Sequence, residues 1–182
     1  TDLAFELAAK GKTDFRKIRA IGIGCAGSID CEKGKILLSP NIPAYLNYPL
    51  AAKIEKLTGK KTFLENDANI AVLGEQWLGR GAKYRNWIML TLGTGIGGGA
   101  IVEGKLMNGR NGIAGEFGHI TLDHNGEQCP CGNKGCFERY GSAAALIRTA
   151  QNLTSKYPAS SVTARLKDEP ANAKMISEEY AK

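Results

Sequence analysis

The sequence predicts a mixed α/β chain, and three features carry that expectation. Short apolar runs bounded by turn formers recur at residues 19–25, 35–38, 62–64 and 87–92 and read as strands. Between them apolar residues return at helical spacing, most clearly Ile70, Ala71, Leu73, Trp77 and Leu78. A hairpin-type turn, Glu103-Gly104, sits inside the strand-rich stretch, so strands, hairpins and helices intermix along the chain.

In chain order, residues 2–10 read as the end of a helix and 19–25 as a buried strand. Gly24, Gly27, Ser28 and Asp30 read as a turn before a second short strand at 35–38. Residues 39–49 form a polar loop punctuated by Pro40, Pro43 and Pro49, and residues 50–57 a helix that Thr58-Gly59 ends. The strand at 62–64 leads into Glu65-Asn66-Asp67, from which a helix over 68–78 departs. Residues 87–92 are apolar enough for a central strand, which runs into the glycines of 93–99 and resumes at 100–102. A glycine-punctuated loop at 108–118 precedes a short strand at 120–122, a cysteine loop, and a helix over 137–153 broken at Gly141-Ser142. Beyond Lys156 the pattern weakens to one helix near 174–181.

Composition narrows the function classes. At 182 residues, 43% hydrophobic and 23% charged, the chain is neither collagen-like nor disordered. No apolar run approaches the roughly 20 residues that a bilayer span needs, and no signal-peptide pattern opens the chain. A cytoplasmic location without membrane partners is the expectation. Thr1 in place of Met implies a processed or cut start. The net charge of +6 comes from scattered Lys and Arg with no aromatic-interleaved stripe, which favours a solvated basic face over a nucleic-acid site. Glycine is in excess, 23 residues against the usual ~7%, and the excess concentrates in 93–118, where it implies close backbone approach.

Cysteine usage points to a metal. Of five cysteines, Cys129, Cys131 and Cys136 fall within eight residues, in a CxCGxxGC pattern downstream of His119. Three thiolates and an imidazole make the Cys3His set of a closed structural zinc site, and sulfur ligands favour zinc over magnesium or calcium. His124 is a weaker fourth ligand; the bland alternative is a group of free thiols beside an unrelated histidine.

Two further motifs are weaker alone. In LGTGIGGG at 92–99, Gly93, Gly95, Gly97 and Gly98 let backbone N–H groups approach an anion, and Thr94 adds a hydroxyl. It is neither a Walker A loop nor a dinucleotide fingerprint, and a ligand-free glycine hairpin explains it equally. In Glu65-Asn66-Asp67, Asp67 reads locally as a helix N-cap; a carboxylate at a strand end is also where α/β folds expose catalytic groups.

Taken together and in order, GIGCAGSID, SPNIPAYLNYPL, ENDAN, LGTGIGGG, GIAGEFGHI and CPCGNKGCFE resemble the ROK family of repressors and sugar kinases, over about residues 20–153. The pattern is most similar to its bacterial glucokinase branch. The resemblance implies a hexokinase–actin-like (ribonuclease H-like) fold of two α/β domains with sugar held between them, incomplete in this chain. Residues 1–68 would belong to the smaller N-terminal domain and 69–182 to the larger one with the zinc loop. It further implies that Asp67 is the general base toward a sugar hydroxyl attacking the γ-phosphate of ATP, with Mg2+ on the phosphates. Asn66, Glu116, His119 and Glu138 would bind sugar hydroxyls, with Gly27 and Asn41 as weaker contributors. Residues 93–98 would face the ATP phosphates, and His119 would divide its ring nitrogens between structural zinc and sugar.

The family's first phosphate loop, of DxGxT type, has no counterpart here, Ala26 stands where proline is common, and the family pattern continues past residue 182. The chain therefore reads as the middle of a kinase, phosphorylating glucose at its 6-hydroxyl, in a dimer or tetramer. The alternatives are the sugar-sensing domain of a ROK-type repressor, with nucleic acid as a partner of a separate domain, or a kinase for N-acetylmannosamine, N-acetylglucosamine or fructose.

Overall fold

The computed structural model describes residues 2–39, 42–110 and 112–181. They sort into two compact units, Thr1–Ile88 with Gly99–Gly115, and Met89–Gly98 with Glu116–Lys182. The boundary after residue 68 concerns the lobes of the complete family fold, whereas these packing units divide the chain differently.

In the first unit, α1 (Asp2–Lys10) and a single 3-10 turn at Phe15–Lys17 precede β1 (Ala20–Cys25). β1 pairs in parallel with β4 (Lys61–Asn66), in register from Ala20↔Lys61 to Cys25↔Asn66. The connection between them holds an antiparallel pair, β2 (Ser28–Asp30) and β3 (Lys35–Leu38), and helix α2 (Leu50–Thr58). Gly59 ends α2 in the left-handed conformation, its N–H donating to the Glu55 carbonyl, the C-terminal signal that the sequence contained. Ile29, Ile36, Ala51 and Leu64 meet in the core of this unit. The β2–β3 turn comes so close to α2 that a Cβ on Gly34 would lie 2.4 Å from Ala51 Cβ.

Two expectations fail here. β1 is not buried: its residues alternate between exposed and half-buried, and the exposed set is Ala20, Gly22 and Gly24. Small residues on the outer face erase the period-2 contrast, so the segment mimics a continuous buried run. Residues 28–30, expected as a turn, form β2, because Ile29 is buried in the core.

Helix α3 (Asp67–Leu78) leaves β4 directly. The three-stranded sheet β5-β6-β7 follows, with β5 at Trp87–Leu92, β6 at Ile96–Val102 and β7 at Lys105–Leu106. β6 and β7 join through Glu103 and Gly104, both at positive φ, as a twisted two-residue hairpin requires. Among the described residues β5 lies at a sheet edge rather than at its centre. β6 begins at Ile96, so Gly97, Gly98 and Gly99 are strand residues rather than loop.

The second unit continues through a 3-10 turn at Phe117–His119 into the cysteine loop, then α4 (Glu138–Gly141), α5 (Ala143–Leu153), α6 (Ser161–Asp168) and α7 (Ala173–Tyr180). The break at Gly141-Ser142 is present; the Ser142 hydroxyl accepts the Ala145 N–H and caps α5. The strand expected at 120–122 is reduced to one bridge, Thr121↔Cys136. α6 was not legible as a helix: it carries little apolar surface and is fixed by its Ser160 cap and by Arg165, which reaches Glu169, Glu178 and Glu179. No helix among the described residues is long and apolar enough to cross a membrane.

Candidate functional site

Parallel pairing brings the C-terminal ends of β1 and β4 together, and β4 passes straight into α3. Asn66, not Asp67, is the N-cap: its Oδ1 accepts the N–H groups of Ala68 (2.9 Å) and Asn69 (3.1 Å). Its Nδ2 donates to the Gly27 carbonyl at 3.2 Å, so the cap also fixes the bend after β1. Gly27 must be glycine, since its φ is +118° and a Cβ would fall 2.2 Å from the Leu38 carbonyl oxygen. With the cap supplied by its neighbour, Asp67 is released from that role. It is exposed, its Oδ1 accepts the Ala68 N–H (2.9 Å), and its Oδ2 has no hydrogen-bond partner among the described residues. An open, fixed carboxylate at a strand-to-helix junction can take a proton from a hydroxyl brought to it.

Glu65 completes this junction and was missed as a contributor. Its Oε1 accepts the Asn66 N–H (2.8 Å) and Asn69 Nδ2 (3.1 Å). The available signal was an acidic residue at the end of an otherwise apolar strand.

In the second unit, Gly93 and Gly95 close a tight turn through a Gly93 N–H to Gly95 carbonyl bond of 3.0 Å. Gly93 and Thr94 are exposed at its tip, while Gly98 is buried against the Met89 carbonyl. The first residue of α5 ties the turn down, Ala143 N–H donating to the Gly93 carbonyl.

The cysteine loop gathers His119, Cys129, Cys131 and Cys136, one ligand atom from each lying within 4.8 Å of all the others. His124 stands outside this group, exposed, with its Nε2 beside Asn125 Nδ2. The spacing fits a four-coordinate ion. With metal–sulfur bonds of about 2.3 Å, tetrahedral ligands sit roughly 3.8 Å apart, and here Cys131 and Cys136 Sγ are 3.6 Å apart and Cys129 Sγ is 3.7 Å from His119 Nδ1. The soft donor set matches zinc.

Burial pushes the Cys129 thiol up to about 12 and raises Cys136 as well. At Cys131 burial works upward too, but the Asn133 N–H and hydrogen bonds from the other two cysteines hold it below the usual thiol value. Ion binding therefore has to displace protons from at least two of these sulfurs. Gln128, also missed, organises the loop: its Nε2 lies 3.1–3.3 Å from the carbonyl oxygens of Cys129, Gly132 and Asn133.

His119 links this loop to two carboxylates. Its Nδ1 lies 3.6 Å from Glu138 Oε1 and its Nε2 4.0 Å from Glu116 Oε2. Glu138 also borders the glycine turn, where a Cβ on Gly95 would stand 2.8 Å from its Oε2. The second unit thus holds Glu116, His119, Glu138, the three cysteines and the 93–98 glycines together, whereas Gly27, Asn66 and Asp67 belong to the first. Asn41 lies outside the described residues.

This architecture, with its strand-end carboxylate, glycine turn and Cys3His loop, is part of an actin-like ATPase fold. It matches a solved ROK family glucokinase from Streptomyces griseus, crystallised with glucose and AMPPNP, at a TM-score of 0.76 and 35% identity over 99% of this chain and 59% of that one. The chain belongs to the ROK family, whose model matches residues 4–182. It is 48% identical over 150 residues to a glucokinase of Thermotoga maritima, covering 82% of this chain and 47% of the relative. It is 36% identical to a xylose repressor of Caldicellulosiruptor bescii, over 85% of this chain and 39% of the relative. The chain spans about half the length of the curated glucokinases it matches.

Proposed function

We propose that this chain is part of an ATP-dependent hexokinase of glucokinase type, forming glucose 6-phosphate. Asp67 accepts the proton of the 6-hydroxyl as that oxygen forms a bond to the γ-phosphorus and the bond to the β-phosphate bridging oxygen breaks. Asn66 fixes the junction that carries Asp67. Asn66, Glu116, His119 and Glu138 bind sugar hydroxyls, with Gly27 and Asn41 contributing less. The exposed tip of the glycine turn, Gly93 and Thr94, faces the phosphates, whose developing charge Mg2+ would neutralise when bound. His119, Cys129, Cys131 and Cys136 would hold the zinc, which would supply folding energy to the loop rather than take part in the chemistry. Residues 1–68 are assigned to the smaller domain of the complete fold and 69–182 to the larger, in a cytoplasmic homo-oligomer.

The observation that carries this reading is the exposed Asp67 carboxylate, uncommitted to capping, in a chain 48% identical to a glucokinase. The test is a coupled assay on the protein expressed from its complete coding sequence, against glucose, fructose, N-acetylglucosamine and N-acetylmannosamine. Asp67→Asn is expected to lower kcat by about 10²–10⁴-fold while sparing glucose binding measured by calorimetry. Near-normal turnover in that variant would overturn the assignment. The similarity to a xylose repressor supports a second reading, a sugar-sensing domain; sugar binding without turnover, together with sugar-responsive DNA binding, would establish it instead.

A further inference from the structure

Glu127, two positions before the first cysteine, is exposed yet engaged through its N–H, its carbonyl and one carboxylate oxygen. Its N–H donates to the Tyr140 hydroxyl (3.2 Å) and its carbonyl accepts the Gly135 N–H (2.8 Å). Its Oε2 receives two guanidinium groups, Arg139 Nη2 at 3.2 Å and Arg148 Nη2 at 2.7 Å. Arg148 also donates from α5 to the Arg139 carbonyl on α4. Arg139 directly follows Glu138, whose Oε1 lies 3.6 Å from His119 Nδ1 and accepts from Cys129 Sγ at 3.3 Å, while its Oε2 faces Gly95 of the glycine turn. One carboxylate on the metal loop therefore clamps the short helix that carries Glu138.

The cluster is not an economical way to hold two helices together. Both arginine Nε atoms are buried with no partner among the described residues, and two cations share one anion. The Glu127 carboxylate is itself exposed, so these ion pairs add little to stability, and what the cluster adds is direction. A four-residue helix has too little intrinsic stability to fix its own orientation.

We infer that Glu127, acting through Arg139 and Arg148, is a positioning residue that holds Glu138 between His119 and the glycine turn, where its second oxygen can reach a sugar. This rests on Glu138 being a sugar ligand. Glu127 touches no reacting atom, so its loss raises sugar KM and leaves ATP KM and zinc content unchanged.

The test uses the full-length, zinc-loaded protein and the Glu127→Gln, Glu138→Gln and double variants. Glu127→Gln is expected to raise glucose KM by about tenfold or more, the scale of other groups that orient a ligating residue, with kcat within about threefold, and one zinc per chain by elemental analysis. In the Glu138→Gln background the same change is expected to add nothing, because the clamp then has nothing to aim. If Glu127→Gln fails to fold, Arg148→Lys replaces it, since an ammonium cannot serve both Glu127 and the Arg139 carbonyl in one plane. Unchanged glucose KM, additive effects in the double variant, or loss of zinc together with sugar affinity would overturn the inference. Unaltered sugar affinity in Glu138→Gln alone would instead remove the sugar-site reading, and the inference with it.

Discussion

The β4–α3 junction and the cysteine loop hold their side chains by opposite means. At the junction everything is backbone geometry: an in-register parallel strand pair, a helix started by Asn66, and contacts from Glu65 and Gly27. Between His119 and Cys136 regular structure nearly vanishes, leaving two isolated bridges, Thr121↔Cys136 and Gln128↔Lys134. Turn hydrogen bonds such as Cys129 N–H to the Asn133 carbonyl, the contacts of Glu127, the amide of Gln128 and four clustered ligand atoms do the organising there. A site built on regular elements survives local damage, whereas one built on a cross-link depends on that cross-link.

The largest expected effect follows from removing the zinc proposed for the cysteine loop. Structural zinc sites in small peptides carry about 10–16 kcal/mol of apparent binding free energy, more than the loop's turn hydrogen bonds and exposed ion pairs are expected to supply. Chelation, or Cys136→Ser, is expected to release one zinc per chain and to expose the amides of 119–137 to fast hydrogen exchange. The amides of β1, β4 and α3 are expected to keep their protection. Zinc-free protein with an unchanged exchange pattern in the loop would erase the contrast between the two regions.

The same contrast explains what the sequence disclosed. Cys129, Cys131, Cys136 and His119 were legible because ligand chemistry restricts residue type and spacing, whatever the backbone does between them. The start of α3 was legible from the polar set before an apolar helical period, although the capping role fell to Asn66 and not Asp67. β2 and α6 were not, for physical reasons that differ. β2 is three residues long and is made a strand by the burial of Ile29 against Ile36 and Leu64, a tertiary effect without local pattern. α6 is held by caps and by ion pairs to α7 rather than by an apolar stripe. The Glu127 cluster was invisible because a carboxylate in a surface loop looks the same in sequence whether it meets water or two arginines.

A smaller effect separates two glycines of the same conformation. Gly59 and Gly135 both sit at positive φ, 66° and 64°. Around Gly59 a Cβ meets nothing within 4 Å, but at Gly135 it would lie 1.6 Å from the Asp123 carbonyl oxygen. Gly59→Ala is expected to cost about 1–2 kcal/mol, the left-handed penalty alone. Gly135→Ala adds a backbone clash to that penalty and is expected to lower zinc affinity as well as stability. Thermal unfolding with zinc titration checks both; equal effects would mean that the loop yields more easily than its cross-links suggest.

The smallest effect is a pH dependence of opposite sign in the two regions. Loop thiols must lose protons to hold a metal, so zinc affinity falls as the solution is made acidic. Cys31, packed against the first unit's core, is the reverse case: burial first, and then the Glu65 carboxylate, raise it from 9.0 to about 11. The folded state therefore prefers the thiol over the thiolate. Its contribution to stability is fully present below the unfolded value and is lost as pH rises through the folded one, between about pH 9 and 11. Cys31 is partly open to water, so screening makes the effect modest. Subtracting the urea midpoints of Cys31→Ser from those of the parent across pH 8–11.5 isolates it from the lysines and tyrosines that titrate nearby. A difference that declines through that window matches a thiol held in an apolar setting; a flat difference would mean that Cys31 ionises as freely as in the unfolded chain, and that the core beside β2 is wetter than its packing implies.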